Sequence, residues 1–160
     1  MALYRLESIQ KIPASVDVVW DFISSPRNLK HITPEHMGFD ILTPNLPEKM
    51  YPGMIISYHV SPLLGIKMNW VTEITHVRDN VYFVDEQRMG PYKIWHHQHH
   101  LKEIPGGVLM HDIVHYAPPM GWLGDMAQWL FIKRQLDAIF DYRTQKVDDY
   151  FGKFPYQTKR

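Results

Sequence analysis

The chain has 160 residues, of which 45% are hydrophobic, and its 17 Lys and Arg residues balance its 17 Asp and Glu residues. This length predicts a single domain over residues 1–160, and the zero net charge argues against binding to nucleic acid, which normally requires a basic face. The sequence has no cysteine, which excludes disulfides, thiolate nucleophiles and cysteine-based zinc sites.

The first ten residues include Arg5 and Glu7 and have no long apolar run, so they do not resemble a signal peptide. No later segment approaches the roughly 18 consecutive apolar residues that a membrane-spanning helix needs. The sequence therefore predicts a cytoplasmic protein without a membrane span.

The chain begins with one strand and two short helices. Partial alternation predicts a strand over residues 2–10. Val16, Val19, Trp20 and Ile23 follow helical spacing and predict a first helix that ends near Ser24. A second short helix is expected to begin at Pro26, because proline is tolerated at the first helical position, and to stop before Pro34.

Six further strands are predicted, with a proline-rich loop over residues 44–53. Most of the connections are short and contain turn residues such as Asp79-Asn80, Gly90-Pro91 and Gly106-Gly107, which predicts antiparallel hairpins. The six predicted strands cover residues 38–43, 54–60, 66–77, 81–89, 92–104 and 108–116.

The last segment changes to helical periodicity. Apolar residues recur every three or four positions from Trp122 to Tyr150, which predicts a helix of almost 30 residues, about 45 Å long. The fold class is therefore α+β, with a curved seven-stranded antiparallel sheet, two short helices and a long C-terminal helix. A long helix on a curved sheet leaves a space between them, and such spaces commonly hold ligands.

Motifs along nearly the whole chain, from about residue 3 to 151, carry a resemblance to a known superfamily. The most specific run contains Asp85-Glu86-Gln87, Gly90-Pro91-Tyr92, and Trp95 with His97 and His99. The other matching residues are Val19-Trp20, Pro26, Asn28-Leu29, Ile32-Thr33-Pro34, Trp70, Ile74, Phe83-Val84, Asp112, Tyr116, Pro118, Gly121, Leu123-Gly124, Ile139-Phe140 and Tyr142-Arg143.

The chain resembles the START-like, or SRPBCC, superfamily, which includes pollen allergens, lipid-transfer domains and polyketide cyclases. Its details are similar to the bacterial branch called the ligand-binding SRPBCC domain. The resemblance implies a helix-grip fold with a hydrophobic cavity between the sheet and the C-terminal helix. The ligand expected there is a hydrophobic or aromatic small molecule, such as a lipid, a polyketide or an isoprenoid-like compound.

Strand alternation indicates which side chains face this cavity. Trp95 and Leu101 place His97 and His99 on the inner face of their strand, because the four residues alternate with His96, His100 and Lys102. The same reasoning on the other strands and the last helix gives a predicted ligand-binding set of Trp70, Phe83, Asp85, Gln87, Trp95, His97, His99, Met110, Asp112, Tyr116, Met126 and Trp129.

The polar members of this set leave three interpretations open. They form a hydrogen-bonded network that fixes strand register, or they orient the polar end of a ligand, or they catalyse a cyclase or dehydratase reaction. In the catalytic case His97 or His99 is the acid or base, Asp85 or Asp112 orients it, and Tyr116 donates a proton. No nucleophile is evident, so the sequence does not settle whether the protein is an enzyme.

No cofactor and no metal are predicted, although His97 and His99 have a spacing that can chelate zinc. Arg143 is expected in a surface ion pair.

A protein-interaction module without a ligand is the remaining alternative, and a homodimer is compatible with the sequence. The contact surface of such a module would be the loop that contains Leu46, Met50 and Tyr51.

Overall fold

A computed structural model describes residues 2–63, 66–119, 126 and 131–155. The strands are β1 (Tyr4–Ile12), β2 (Asp40–Ile41), β3 (Met54–Leu63), β4 (Ile66–Arg78), β5 (Tyr82–Met89), β6 (Ile94–Ile104) and β7 (Gly107–Ala117). The helices are α1 (Val16–Ile23), two 3₁₀ helices at Pro26–Ile32 and Glu35–Met37, and α2 (Lys133–Phe151).

The strands form one seven-stranded sheet in the order β1-β7-β6-β5-β4-β3-β2, and every neighbouring pair is antiparallel. Strands β2 to β7 follow the chain order, and β1 pairs with β7 from Tyr4 opposite Tyr116 to Ile12 opposite Val108. This arrangement confirms the predicted fold class of an antiparallel sheet with a C-terminal helix.

The inner face of the sheet is visible in the alternation of buried residues. In β7, Val108, Met110, Asp112, Val114 and Tyr116 are all buried. The residues between them are only partly buried. A strand with this pattern buries one face against the core and leaves the other accessible to water. Asp112 therefore lies among apolar neighbours on the core side.

The core divides into two apolar clusters along the sheet. One contains Trp20 of α1, Phe83 of β5 and Val147 near the end of α2. The other contains Trp70 of β4 and Phe140 in the middle of α2. Helix α2 therefore contacts both clusters and holds the two ends of the domain together.

The structure differs from the predicted elements in three places. Strand β2 has only two residues, Asp40–Ile41, where a strand over residues 38–43 was predicted, and Gly38 instead caps the 3₁₀ helix at Glu35–Met37 in the left-handed conformation. Strand β3 continues to Leu63, where the sequence predicted a turn from Ser61. Helix α2 has 19 residues from Lys133 to Phe151, and the predicted helical stretch from Trp122 to Leu130 lies outside the described residues except for Met126.

No helix of the described residues has the length and apolar character that crossing a bilayer requires.

The turn between β6 and β7 depends on a close approach at Gly107. A Cβ atom at this position would lie 2.0 Å from the backbone oxygen of Ile12 at the end of β1. We therefore expect Gly107→Ala to lower the free energy of unfolding by about 1–3 kcal/mol, because β1 must shift away from β7. Urea denaturation would measure this loss. Glu103→Ala, an exposed change before the same turn, should cost less than about 0.5 kcal/mol, and equal effects of the two variants would contradict the steric argument.

Candidate functional site

A cavity of about 160 Å³ lies between the inner face of the sheet, the 3₁₀ segments and α2. Its walls are mainly aromatic and aliphatic. The apolar and aromatic lining residues are Leu29, Ile32, Met37, Phe39, Met50, Ile56, Tyr58, Val60, Trp70, Ile74, Phe83, Tyr92, Trp95, Leu136, Ile139 and Phe140, and the polar ones are Thr33, Thr72, Asp85, His97, His99 and Arg143. The cavity is therefore an apolar chamber whose ionisable groups come from β5, β6 and α2.

Half of the predicted ligand-binding set lines this cavity. These residues are Trp70, Phe83, Asp85, Trp95, His97 and His99. Asp112 is buried behind them and contacts both histidines. Met110 and Tyr116 are buried on the same face of β7 but do not line the cavity, whose sheet wall is formed by β3, β4, β5 and β6.

The other predicted members lie elsewhere. Gln87 bonds to the backbone of the turn that follows its strand. Met126 is 50% exposed. Trp129 lies outside the described residues.

Several lining residues were not predicted, and Arg143 is the most consequential of them. Its side chain is only 11% exposed and its Nη2 lies 3.6 Å from Asp112 Oδ1, so the prediction of a surface ion pair is wrong. Leu46 and Met50 are also buried, which leaves Tyr51 as the exposed member of the loop that was expected to present a contact surface. Arg143 follows Phe140 by three positions and Ile139 by four, so helical periodicity would have placed it on the same face of α2 as these two residues.

The aromatic end of the cavity is organised around Trp70. Its ring stacks on Tyr58 at a centroid distance of 6.1 Å and meets Trp95 edge-on at 5.4 Å. The indole Nε1 donates to Thr72 Oγ1 at 3.1 Å, and this hydroxyl also bonds to the Tyr58 hydroxyl at 2.8 Å. Burial raises the pKa of Tyr58, so the phenol stays neutral. These buried polar atoms therefore have partners, and the wall presents ring faces to the cavity.

The ionisable end consists of Asp85, His97, His99, Asp112 and Arg143, which we call the polar cluster. Each imidazole lies between the two carboxylates. His99 Nε2 is 2.7 Å from Asp85 Oδ2, and His99 Nδ1 is 2.8 Å from Asp112 Oδ1. His97 Nε2 is 3.1 Å from Asp112 Oδ1, and His97 Nδ1 is 3.5 Å from Asp85 Oδ2. The cross-strand register that places Asp112 opposite His99 makes this arrangement possible.

The two imidazoles have opposite pKa shifts. Burial and the adjacent His99 together lower the pKa of His97 to about 4, although Asp112 and Asp85 act to raise it. Burial also disfavours the charged form of His99, but its hydrogen bonds to Asp112 and Asp85 outweigh this effect and raise its pKa. The shorter contacts of His99 with the two carboxylates explain why its charged form is favoured over that of His97.

The carboxylates remain ionised. Burial acts to raise the pKa of Asp112, but Arg143, His97 and His99 together hold it well below its usual range. The pKa of Asp85 is lowered despite its burial, chiefly by His97 and by the hydrogen bond from His99. Two ionised carboxylates thus face Arg143 and the two imidazoles, and His99 is the imidazole whose charged form the cluster favours.

The polar cluster has unused hydrogen-bonding capacity at two places, one between His97 and Asp85 and one at Arg143. When His97 donates from Nε2 to Asp112, its Nδ1 is an acceptor that faces Asp85 Oδ2, another acceptor, at 3.5 Å. Arg143 Nε is buried without a hydrogen-bond partner among the described residues. A ligand hydroxyl could donate to one of the two acceptors, a cation could bridge both, and a ligand acceptor could bond to Arg143 Nε.

Asp85, His97 and His99 also qualify as a set of metal-ligand donors. One donor atom from each of the three side chains lies within 4.8 Å of the donor atoms of the other two. Two imidazole nitrogens and one carboxylate oxygen are ligands that divalent transition metals accept.

Gln87 positions a cavity wall without lining the cavity. Its amide Nε2 donates to the Tyr92 backbone oxygen at 2.5 Å, and its Oε1 accepts from the Tyr92 backbone N–H at 3.2 Å. Tyr92 lines the cavity and meets Trp70 edge-on at 5.8 Å. The side chain of Gln87 therefore fixes the turn that presents Tyr92 to the chamber.

Comparisons with known proteins give one family and many similar folds. The model of the family "polyketide cyclase / dehydrase and lipid transport" matches residues 12–140. Among curated proteins, none matches the sequence significantly.

Three solved structures illustrate the likeness of fold. Protein CV1439 from Chromobacterium violaceum is 11% identical with a TM-score of 0.69, and 96% of this chain and 100% of that chain are covered. Protein Ms6760 from Mycobacterium smegmatis is 14% identical with a TM-score of 0.63, covering 94% and 98%. The major latex-like protein 151 from Panax ginseng is 12% identical with a TM-score of 0.64, covering 93% and 97%. At these identities the likeness shows a common fold.

The protonation of the polar cluster predicts a pH dependence of stability. His97 binds its proton with a pKa of about 4 in the folded protein, whereas an unfolded histidine has a pKa of about 6.5. Between these values only the unfolded chain takes up the proton, so stability should fall by about 2–3 kcal/mol as the pH decreases from 6.5 to 4. Urea denaturation of the wild type and of His97→Gln would measure this loss, which the variant should lack.

Imidazole resonances in NMR spectra, recorded with EDTA present, provide a direct control. His97 should titrate near pH 4 and His99 above 6.5, because burial dominates the first and the carboxylate hydrogen bonds dominate the second. A His97 midpoint near 6.5, or a midpoint of His99 below that of His97, would contradict this assignment.

Loss of the Gln87 side chain should destabilise the domain more than loss of the adjacent Arg88 side chain. Gln87→Ala leaves the backbone groups of Tyr92 without their partners, and we expect a decrease of about 1–3 kcal/mol in the free energy of unfolding. Arg88→Ala removes only surface ion pairs to Glu73 and Glu86 and should cost less than about 1 kcal/mol. Urea denaturation compares the two variants, and a larger loss for Arg88→Ala would refute the role given to Gln87.

Proposed function

Because the chain belongs to the polyketide cyclase / dehydrase and lipid transport family, we propose that it binds a compact aromatic or apolar small molecule in the cavity between the sheet and α2. The observation that carries this proposal is the chemistry of the cavity wall. Aromatic and aliphatic side chains surround the space, and the ionisable groups are confined to the polar cluster. Ligand sites have this composition, with apolar walls for affinity and few polar groups for orientation.

The size of the cavity favours a compact ligand. A volume of about 160 Å³ is close to that of an engineered cavity of about 150 Å³ that binds benzene. One aromatic ring with short substituents therefore fits, whereas a long acyl chain requires a larger space. Of the ligand classes suggested by the family resemblance, a small aromatic product of polyketide chemistry suits the volume better than a diacyl lipid.

The polar cluster is expected to orient this ligand. Trp70, Phe83 and Trp95 offer ring faces and edges for stacking. At the other end, a ligand hydroxyl could donate to Asp85 or His97 Nδ1. Such a bond is worth about 0.5–1.5 kcal/mol, so the hydroxyl contributes orientation and a severalfold gain in affinity.

A cavity-filling variant tests the location of the binding site. Ile139 of α2 lines the cavity, whereas Ala138, the preceding residue, is exposed. We expect Ile139→Trp to lower the affinity for phenol and toluene by at least about tenfold, because the larger side chain occupies the ligand space. Ala138→Trp should leave the affinity unchanged. Calorimetry and saturation-transfer NMR would measure both variants, with circular dichroism confirming their fold.

The comparison of the two probes tests the orientation of the ligand. Phenol should bind about threefold to tenfold more tightly than toluene to the wild type, because only phenol can bond to the polar cluster. No detectable binding of either probe to the wild type would overturn the proposed function. Equal weakening by Ile139→Trp and Ala138→Trp would place the binding elsewhere.

A further inference from the structure

We propose that the polar cluster is a binding site for one divalent transition-metal ion, with Asp85, His97 and His99 as its protein ligands. This inference goes beyond small-molecule binding and does not depend on it, since it concerns an ion held by the protein alone. It rests on the positions of three donor atoms, on the partners of the opposite imidazole nitrogens and on the location of the cluster in the cavity wall.

The donor atoms have the separations of ligands that share a metal. Two ligands at metal distances of about 2.0–2.2 Å lie about 3.0–3.5 Å apart in octahedral or tetrahedral geometry. Asp85 Oδ2 is 2.7 Å from His99 Nε2 and 3.5 Å from His97 Nδ1. One donor atom from each of the three side chains lies within 4.8 Å of the other two, so modest side-chain movements would bring them to a common ion.

The opposite nitrogen of each imidazole lies against the same carboxylate. His97 Nε2 is 3.1 Å and His99 Nδ1 is 2.8 Å from Asp112 Oδ1. Metal-binding histidines typically donate their second N–H to a carboxylate or carbonyl, which fixes the tautomer and orients the ring. Asp112 serves His97 in this way. His99 Nδ1 lies between Asp112 Oδ1 and Arg143 Nη2, which is 3.2 Å away, so metal binding at His99 Nε2 would displace the proton that Nε2 shares with Asp85 and leave Nδ1–H to donate to Asp112.

Rigid packing holds the two rings in place. His99 stacks on Phe83 with ring centroids 4.0 Å apart, and its ring lies 3.7 Å from that of His97. Arg143 Nη2 of α2 lies 3.2 Å from His99 Nδ1 and 3.6 Å from Asp112 Oδ1, so it contacts both the ring and the carboxylate. The ligands therefore need little reorganisation to bind a metal, which favours affinity.

The site opens toward the cavity. Asp85, His97 and His99 all line it, so coordination positions that the protein does not fill face the ligand space. Three protein ligands with open positions are typical of catalytic and substrate-binding metal sites, whereas structural zinc sites have four. The nitrogen and oxygen donors favour Zn²⁺, Co²⁺, Ni²⁺ or Fe²⁺ over Mg²⁺ or Ca²⁺.

The outer face of the sheet carries a second group of histidines that could mimic this site. His96 and His100 alternate with His97 and His99 along β6, and they lie near His115 and His111 of β7. These side chains are more exposed than His97 and His99. The double variant His96→Gln/His100→Gln is therefore a matched control on the same strand.

The experiment is a titration of the full, tag-free chain with Zn²⁺ and Co²⁺ after removal of metal by EDTA. We expect one equivalent to bind by calorimetry, and Co²⁺ to give visible absorption bands of a nitrogen- and oxygen-coordinated ion. His97→Gln, His99→Gln and Asp85→Asn should each lower the affinity at least about tenfold, and Asp112→Asn by about 10-fold to 100-fold. The His96→Gln/His100→Gln control should retain the full equivalent.

Imidazole NMR of the wild type shows which histidines bind the metal, even if a variant does not fold. Addition of Zn²⁺ should shift the nitrogen resonances of His97 and His99 and leave those of His96 and His100 in place. The absence of a bound equivalent in the folded wild type would overturn the proposal. Binding by the outer-face histidines only, with shifts confined to His96 and His100 and a loss in the double variant, would overturn it as well.

Discussion

The burial of Asp112 is the constraint on which much of this structure depends. The carboxylate is 2% exposed, on the core side of a strand whose other inward residues are apolar. An unpaired charge in such a position costs several kcal/mol, so partners must be supplied from neighbouring elements. His97 and His99 supply them from β6, and Arg143 supplies the compensating charge from α2. Removing any one of these partners would leave a buried charge behind.

This requirement links the sheet to the helix. Arg143 can approach Asp112 only when α2 crosses the inner face of β6 and β7, and that position also brings Phe140 against His97 at a centroid distance of 5.6 Å. The ion pair therefore favours one placement of α2, whereas apolar contacts alone would tolerate several. The cavity is the space that remains on the β3 to β5 side once α2 is held in this position. Charge compensation and cavity formation thus share one geometric cause.

The sequence predicted the sheet, its antiparallel order and the inward face of β6, because alternation in long strands is a strong signal. It predicted Asp85, His97 and His99 correctly as neighbours on one face, since their strands pair directly. It did not predict the role of Arg143, because the position of a helical residue against a sheet depends on how the helix docks. Nor did it distinguish Met110 from Tyr58 as a wall residue. Strand alternation identifies the inner face of each strand, but it does not say which part of that face borders the cavity.

The polar cluster satisfies its own charges yet remains open to a bound group, and this combination bears on function. A network built only to fix strand register could turn all its atoms toward each other. A neutral imidazole has one N–H, so His97 cannot donate to both carboxylates. When it donates to Asp112, its Nδ1 and Asp85 Oδ2 are two acceptors that face each other at 3.5 Å in the cavity wall. Two facing acceptors are stabilised by a donor or a cation placed between them. A metal ion could bind both acceptors, a ligand hydroxyl could donate to one of them, and a metal with open positions could hold the hydroxyl itself. Small-molecule binding and metal binding are therefore compatible at this end of the cavity, where a ligand could complete the coordination of the ion.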